Sequence, residues 1–162
     1  MEALVKMLAA VATLCASACA GVLDSAPLTR AILDNRYGAG LTVHRGYWQA
    51  VSFADPVAPG ASSDLQDTVP ASPNKAYVLL TTGPSSALVV LQSRIDFGVA
   101  LDQIVHIPVD DSTFAGNCAA GSPLTQAEAD FITKLVFPQD FADLHYDAAT
   151  CTTSSIGDAG AR

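Results

Sequence analysis

Short apolar runs separated by turn residues predict strands between residues 41 and 109. The run "LTVHRGYWQAVSF" (41–53) reads as one strand without a cleanly polar face, so we expect it to be covered on both sides or to bulge at Gly46. Three further runs, 75–83, 87–97 and 103–109, also have strand character, and "TGPSS" joins the first two as a hairpin turn. The pattern predicts a mainly β fold, an antiparallel β-sandwich-like domain.

Two segments have helical spacing. In "SPLTQAEADFITKLVFP", Thr125 and Glu128 have the spacing of a capping box, and the apolar residues that follow fall on one face. This predicts a C-terminal helix over about 126–136, packed on the sheet. A shorter helix is predicted from near Pro27 to before Gly38, with its apolar residues on one side.

The remaining segments define the domain limits. The apolar run "MLAAVATL" (7–14) is too short to span a bilayer as a helix and is followed by small residues, which predicts a signal peptide over 1–18; a buried N-terminal helix is the alternative. Prolines and small polar residues predict a long surface loop over 55–74. We expect one folded domain over 27–151 and a disordered tail over 152–162.

The residues Ala16-Ser17-Ala18-Cys19 resemble the lipobox of bacterial lipoproteins, although Leu is usual where this chain has Ala16. The resemblance implies that Cys19 is lipidated and becomes the mature N-terminus, that 19–26 is a short tether, and that the protein is anchored on a membrane. Ala20 rather than Asp after the cysteine implies the outer membrane. Cleavage before Gly21, which would give a soluble secreted or periplasmic protein, stays open. In size and layout the chain resembles the small uncharacterised lipoproteins of bacterial envelopes, a resemblance that implies no activity.

Composition narrows the class of protein. Hydrophobic residues make up 50% of the 162 residues and charged ones 15%, which is too apolar for a disordered chain. The formal net charge of −8 has the wrong sign for binding phosphate backbones. We therefore expect a globular protein without a nucleic-acid partner.

The cysteines are informative about the redox compartment in which the protein folds. Cys15 leaves with the leader and Cys19 is acylated or in the cleavage zone, so Cys118 and Cys151 remain in the folded part. In an oxidising compartment these two most simply form one disulfide. A metal or redox pair is the alternative, but the chain has no C-x-x-C and only His145 lies near in sequence.

Two stretches carry candidate binding chemistry. In "VDDSTFAGN" (109–117), Asp110 and Asp111 begin a cluster of oxygen donors that could ligate a hard cation such as calcium, or form an Asx or Ser/Thr turn. In "HRGYW", the residues His44, Arg45, Tyr47 and Trp48 form a set that stacks on sugars or anchors a partner. A lone Trp on a sandwich strand is more often a core residue, which is the competing interpretation for Trp48.

The chain lacks the sequence motifs of the common hydrolases, metalloproteases and nucleotide-binding proteins, and its three histidines are scattered. We therefore expect no catalytic residues, no cofactor and no resident metal. The predicted function is a structural or interaction role at the bacterial envelope, with the membrane as one partner, through the lipid, and an envelope protein or glycan as the other. The alternative is a sugar- or cation-binding secreted module; a hydrolase without a local motif ranks third.

Overall fold

The computed structural model describes residues 29–38, 40–68, 74–82, 87–98 and 102–156. Within these ranges the chain forms ten strands and one α-helix that continues as a π-helix. The strands are β1 Thr29–Asn35, β2 Leu41–Trp48, β3 Val51–Phe53, β4 Gln66–Thr68, β5 Tyr77–Thr82, β6 Ala87–Ser93, β7 Ile104–Val109, β8 Phe114–Ala115, β9 Leu144–Asp147 and β10 Thr152–Ser155. The α-helix, α1, covers Gln126–Phe131, and the π-helical segment covers Ile132–Val136.

A five-stranded antiparallel sheet in the order β3-β2-β5-β6-β8 forms the middle of the molecule. Its central strands, β5 and β6, contain the unbroken apolar runs "YVLL" and "LVVL", which is the pattern of strands buried on both faces. The predicted hairpin between them is confirmed, because Thr82 pairs with Ala87. The connecting residues 83–86 lie outside the described ranges.

Each face of this sheet has its own core. On one face packs a three-stranded sheet in the order β4-β1-β7, in which β1 and β7 run parallel. The shared core contains Leu33 and Ile107 from the smaller sheet, and Val78 and Leu91 from the larger one. On the other face pack α1, the π-helical segment and the β9–β10 hairpin, around a second core. The predicted mainly β fold, with antiparallel sheets and a C-terminal helix, is confirmed.

The predicted disulfide is also confirmed: Cys118 and Cys151 are bonded, with their Cα atoms 5.8 Å apart. It joins a short 3-10 turn, Cys118–Ala120, to the turn of the β9–β10 hairpin. The prediction of a disordered tail from residue 152 was wrong at its start, since Thr152–Ser155 form β10. The disulfide and four residue pairs with β9 hold this segment in place. Residues 157–162 lie outside the described ranges.

The helix predicted between Pro27 and Gly38 was wrong over its described part, which is strand β1. Burial alternates strictly along β1, with Thr29, Ala31, Leu33 and Asn35 facing inward. Pairing with β7 over six residues favours the strand, and local helical spacing does not outweigh these long-range contacts.

The run 41–53 is not one strand but the hairpin β2–β3, turned at Gln49 and Ala50, whose φ angles are 50° and 62°. Two consecutive residues of positive φ make the tight turn that suits the strand twist. The expected bulge lies between Val43 and Arg45 rather than at Gly46. The predicted loop 55–74 likewise contains a strand, β4, which pairs with β1.

The C-terminal helix is confirmed together with its capping box. Thr125 Oγ1 accepts from the backbone N–H of Glu128 at 3.3 Å, and the Glu128 carboxylate accepts from the backbone N–H of Thr125 at 2.9 Å. None of the helices in the described ranges has the length and hydrophobicity needed to cross a membrane. The predicted signal peptide, Cys19 and the tether lie outside the described residues.

Candidate binding cleft around Asp140

The bulge in β2 decides which way the predicted "HRGYW" residues face. Along a regular strand, His44 and Arg45 would point to opposite faces, but an extra residue on the bulged strand lets neighbours share a face. Both side chains reach Asp140, which lies on the helical side of the central sheet. Tyr47 also packs against the core on that side.

Trp48 faces the opposite way and has 0% exposed surface. Its indole Nε1 donates to the backbone oxygen of Asn74 at 3.2 Å, and its ring meets Phe97 edge-on with centroids 6.5 Å apart. These contacts fit the interpretation of Trp48 as a core residue and leave no surface for stacking on a ligand. The "HRGYW" motif is therefore divided between the two faces of the sheet.

Asp140 carries a largely buried carboxylate that accepts no hydrogen bond from the described residues. Its side chain is 10% exposed, and its two oxygens lie 3.6 Å from His44 Nε2 and 3.6 Å from Arg45 Nε. Both separations are ion-pair distances and exceed a hydrogen bond. Arg45 Nε is the one fully buried side-chain nitrogen or oxygen in the described residues that has no hydrogen-bond partner. Arg45 Nε and the Asp140 carboxylate therefore form an ion pair without a hydrogen bond.

A cleft of about 260 Å³ opens beside these groups; we call it the Asp140 cleft. Its polar lining residues are Arg45, Tyr47, Ser52, Gln139 and Asp140. Its apolar lining residues are Leu135, Val136, Phe137 and Pro138. Leu135 is 70% exposed, the highest value among the exposed large hydrophobic side chains of the described residues.

A larger opening of about 650 Å³, the hairpin cavity, lies on the other side of Pro138. Its apolar surface comes from Phe141, Leu144, Tyr146 and Ile156, and its polar rim from Asp130, Thr133, Lys134 and His145. Asp130 accepts hydrogen bonds from Lys134 at 2.8 Å and from Gln126 at 2.7 Å, which together lower the pKa of its carboxyl group. In contrast to Asp140, this carboxylate has close donors.

The π-helical segment places both openings side by side. The backbone N–H of Phe137 donates to Ile132 at 2.9 Å, the wide turn that distinguishes a π-helix from an α-helix. Thr133 and Lys134 contribute to the hairpin cavity, whereas Leu135 and Val136 contribute to the Asp140 cleft. Short π-helical stretches occur frequently at functional sites.

Asp110 and Asp111 form a turn. Asp110 Oδ1 accepts from the backbone N–H groups of Ser112 at 3.0 Å and Thr113 at 2.9 Å. Burial raises the pKa of Asp110, but the hydrogen bonds that its carboxylate accepts from the Ser112 hydroxyl and from these N–H groups outweigh it, and the net shift is downward. Asp111 accepts from Tyr37 Oη at 2.8 Å and from Asn117 at 2.8 Å. Burial, followed by this hydrogen bond to Asp111, raises the pKa of Tyr37 far above its usual range.

The geometry at these aspartates is that of the turn interpretation. In the part of the chain that the structure describes, no group of three or more His, Cys, Asp or Glu side chains could hold a metal ion. Of the other histidines, His106 pairs with Asp34 at 3.0 Å on an exposed surface, and His145 lies at the rim of the hairpin cavity.

Asp140 and Gln139 were missed by the sequence analysis. They follow the C-terminal helix in "FPQD", and nothing in that stretch distinguishes them from a polar turn. The structure brings them to His44 and Arg45 from a distant part of the chain. Only the fold reveals this juxtaposition.

No family model matches the chain, and the searches of curated proteins and of solved structures found no similar protein either.

Proposed function

We propose that this protein is an exported, lipid-anchored interaction module of the cell envelope, without catalytic activity, which binds its partner through the Asp140 cleft and the adjoining surface of the π-helical segment. The observation that carries the proposal is the 70% exposed Leu135 beside a cleft lined by the Arg45–Asp140 ion pair. Exposed apolar groups next to convergent polar groups are typical of binding sites.

The disulfide supports the export part of the proposal. Disulfides persist in oxidising compartments and are rare in the cytosol. The Cys118–Cys151 bond connects the β9–β10 hairpin to the body of the domain. The surface beside the Asp140 cleft is therefore built on a scaffold that is covalently cross-linked. Lipidation of Cys19 would hold that scaffold at a membrane surface.

A binding role is favoured over a hydrolytic one by the partners of His44. General-base catalysis needs a nucleophile within hydrogen-bond reach of the base. In the described structure, His44 pairs with Asp140 and hydrogen bonds with no hydroxyl or thiol nucleophile.

The anchor is tested by the intact mass of the protein recovered from membrane and soluble fractions of its host. We expect a chain that begins at Cys19 and carries acyl chains, found in the membrane fraction. Cys19→Ser should move the protein to the soluble fraction, and Cys15→Ser, a matched control inside the leader, should not. A wild-type chain that retains residues 1–18 would contradict export, and a soluble chain that begins at Gly21 would contradict the anchor.

The binding surface is tested with a photo-crosslinking amino acid at position 135, in cells. The matched control is position 104, since Ile104 is an exposed apolar residue at 42% on β7, in the layer on the opposite face of the central sheet. We expect one saturable adduct at position 135, reduced by excess unlabelled protein, and none at position 104. Equal labelling at both positions would contradict a dedicated surface.

A further inference from the structure

We propose that the Asp140 cleft binds one neutral sugar unit of a glycan, whose hydroxyl groups hydrogen bond to Arg45 and Asp140. The inference rests on the proposed function, because it names the ligand class of the same site. The first argument is the state of Asp140, whose side chain is nine-tenths buried and makes two ion pairs at 3.6 Å. The ion pairs offset the burial of the carboxylate, and its oxygens, which accept no hydrogen bond from the described residues, can accept one from a donor that enters the cleft.

The second argument is the pairing of an open donor with an open acceptor. The Arg45 side chain, 32% exposed, brings its guanidinium donors to the lining of the cleft, and the Asp140 carboxylate beside it is an acceptor. A hydroxyl group can accept from Arg45 and donate to Asp140, which an ammonium group, having no acceptor, cannot do. Neighbouring hydroxyl groups on a sugar ring offer two such groups, each of which can donate and accept.

The third argument is charge. Asp140 opposes His44 and Arg45, and the other polar residues of the cleft, Tyr47, Ser52 and Gln139, are neutral hydrogen-bonding groups. An anionic ligand would be attracted by Arg45 but repelled by the Asp140 carboxylate. A cationic ligand would be attracted by Asp140 but repelled by Arg45. The cleft therefore favours a neutral ligand rich in hydrogen-bonding groups.

The fourth argument is shape. The lining of the cleft combines polar side chains with apolar ones that include Leu135 and Pro138. A sugar ring likewise combines hydroxyl groups with an apolar C–H face. The volume of about 260 Å³ lies just below the range of about 300–1,000 Å³ for drug-sized ligands, so it suits one ring rather than a long oligosaccharide.

The test is an NMR titration of the ¹⁵N-labelled lipidated protein in a detergent without sugar headgroups. The probes are the methyl glycosides of glucose, galactose, mannose and N-acetylglucosamine, with inorganic phosphate as the anionic comparison. We expect at least one glycoside to shift the amides of residues 45–52 and 135–140. Asp140→Asn should weaken its binding about tenfold or more, the effect of losing a hydrogen bond to a charged group.

Asp130→Asn is the matched control, because Asp130 is an aspartate on α1, in the helical segment that precedes Asp140, but lines the hairpin cavity. It should change the affinity less than twofold. Ser52→Trp should block the cleft while leaving both ion pairs of Asp140 in place, which keeps the test valid if Asp140→Asn does not fold. Binding that is lost in Asp130→Asn and kept in Ser52→Trp would overturn the assignment of the site.

The failure of this inference is distinguishable from failure of the proposed function. If no glycoside shifts the cleft amides at its highest soluble concentration, or if phosphate alone does, the sugar assignment is wrong. If Ser52→Trp still abolishes the adduct at position 135 in that case, the interaction surface stands with another ligand. If neither glycosides nor the crosslinker detect binding at this surface, both proposals fail.

Discussion

Removal of the Cys118–Cys151 disulfide should strongly destabilise the domain. The bond closes a loop with a sequence separation of 33 residues, for which the chain-entropy relation gives about 4 kcal/mol at 25 °C. For a domain of this size, about 4 kcal/mol corresponds to a fall in melting temperature of about 10–20 °C. Because the effect acts mainly on the unfolded chain, it should appear even if the folded structure is unchanged.

The measurement is thermal unfolding, followed by circular dichroism, of the wild-type protein and of the double variant Cys118→Ser with Cys151→Ser. Replacing both cysteines avoids a free thiol. Wild-type protein unfolded in reductant is the control and should melt at the temperature of the double variant. A double variant that melts within about 3 °C of the oxidised wild type would refute the reasoning, since about 4 kcal/mol cannot be hidden in so small a shift.

Hydrogen exchange would locate the loss. Cys151 contacts both cores and lies in the turn that joins β9 to β10. Without the bond, the amides of Leu144–Asp147 and Thr152–Ser155 should exchange faster relative to global unfolding, because this hairpin has one neighbouring layer and short strands. The amides of β5 and β6, which are buried on both faces, should remain the slowest.

Four further substitutions test the packing and the helix cap. Trp48→Ala should cost about 3–5 kcal/mol in urea unfolding, because the side chain is fully buried, and a cost below about 1 kcal/mol would contradict that burial. Gly116→Ala should lower the free energy of unfolding more than Gly46→Ala does. A Cβ at Gly116 would meet the backbone of β6 at a φ of 119°, whereas one at Gly46 would meet chiefly the Leu33 side chain, which can shift. Thr125→Ala should cost about 1 kcal/mol through loss of the helix cap. Hydrogen bonds from Thr125 lower the pKa of Glu128 below its ordinary 4.5, so this stabilisation is present above about pH 4.5 and is lost as the pH falls. Thr125→Ala should therefore make the free energy of unfolding less dependent on pH in that range. A pH dependence equal to that of the wild type would contradict the cap.

The elements that sequence predicts best here are those whose pattern is decided locally. The apolar runs of β5 and β6 are long enough to require burial on both faces, and the C-terminal helix carries its own start signal at Thr125. The disulfide was predicted by counting the cysteines that remain in the folded part of the chain. In each case the sequence contains the physical cause.

The elements that were wrong depend on contacts with distant residues. β1 has both a helical and an alternating arrangement of apolar residues, and its pairing with β7 favours the strand. β4 and β10 are too short and too polar to be recognised as strands. They exist because β1 and β9 offer open backbone hydrogen-bonding groups beside them.

The candidate site has the same origin. Period-two alternation separates His44 from Arg45, and the bulge in β2 is what brings both to Asp140. A bulge of one residue changes the face of every side chain on one side of it, so the binding potential of "HRGYW" could not be read from its composition. Trp48, the residue that most suggested a sugar platform, is buried, while Arg45 and Tyr47 line a cleft whose opposite side comes from the end of the C-terminal helix. The chemistry for binding was visible in the sequence, but its geometry depends on one irregular residue pair and on a turn far along the chain.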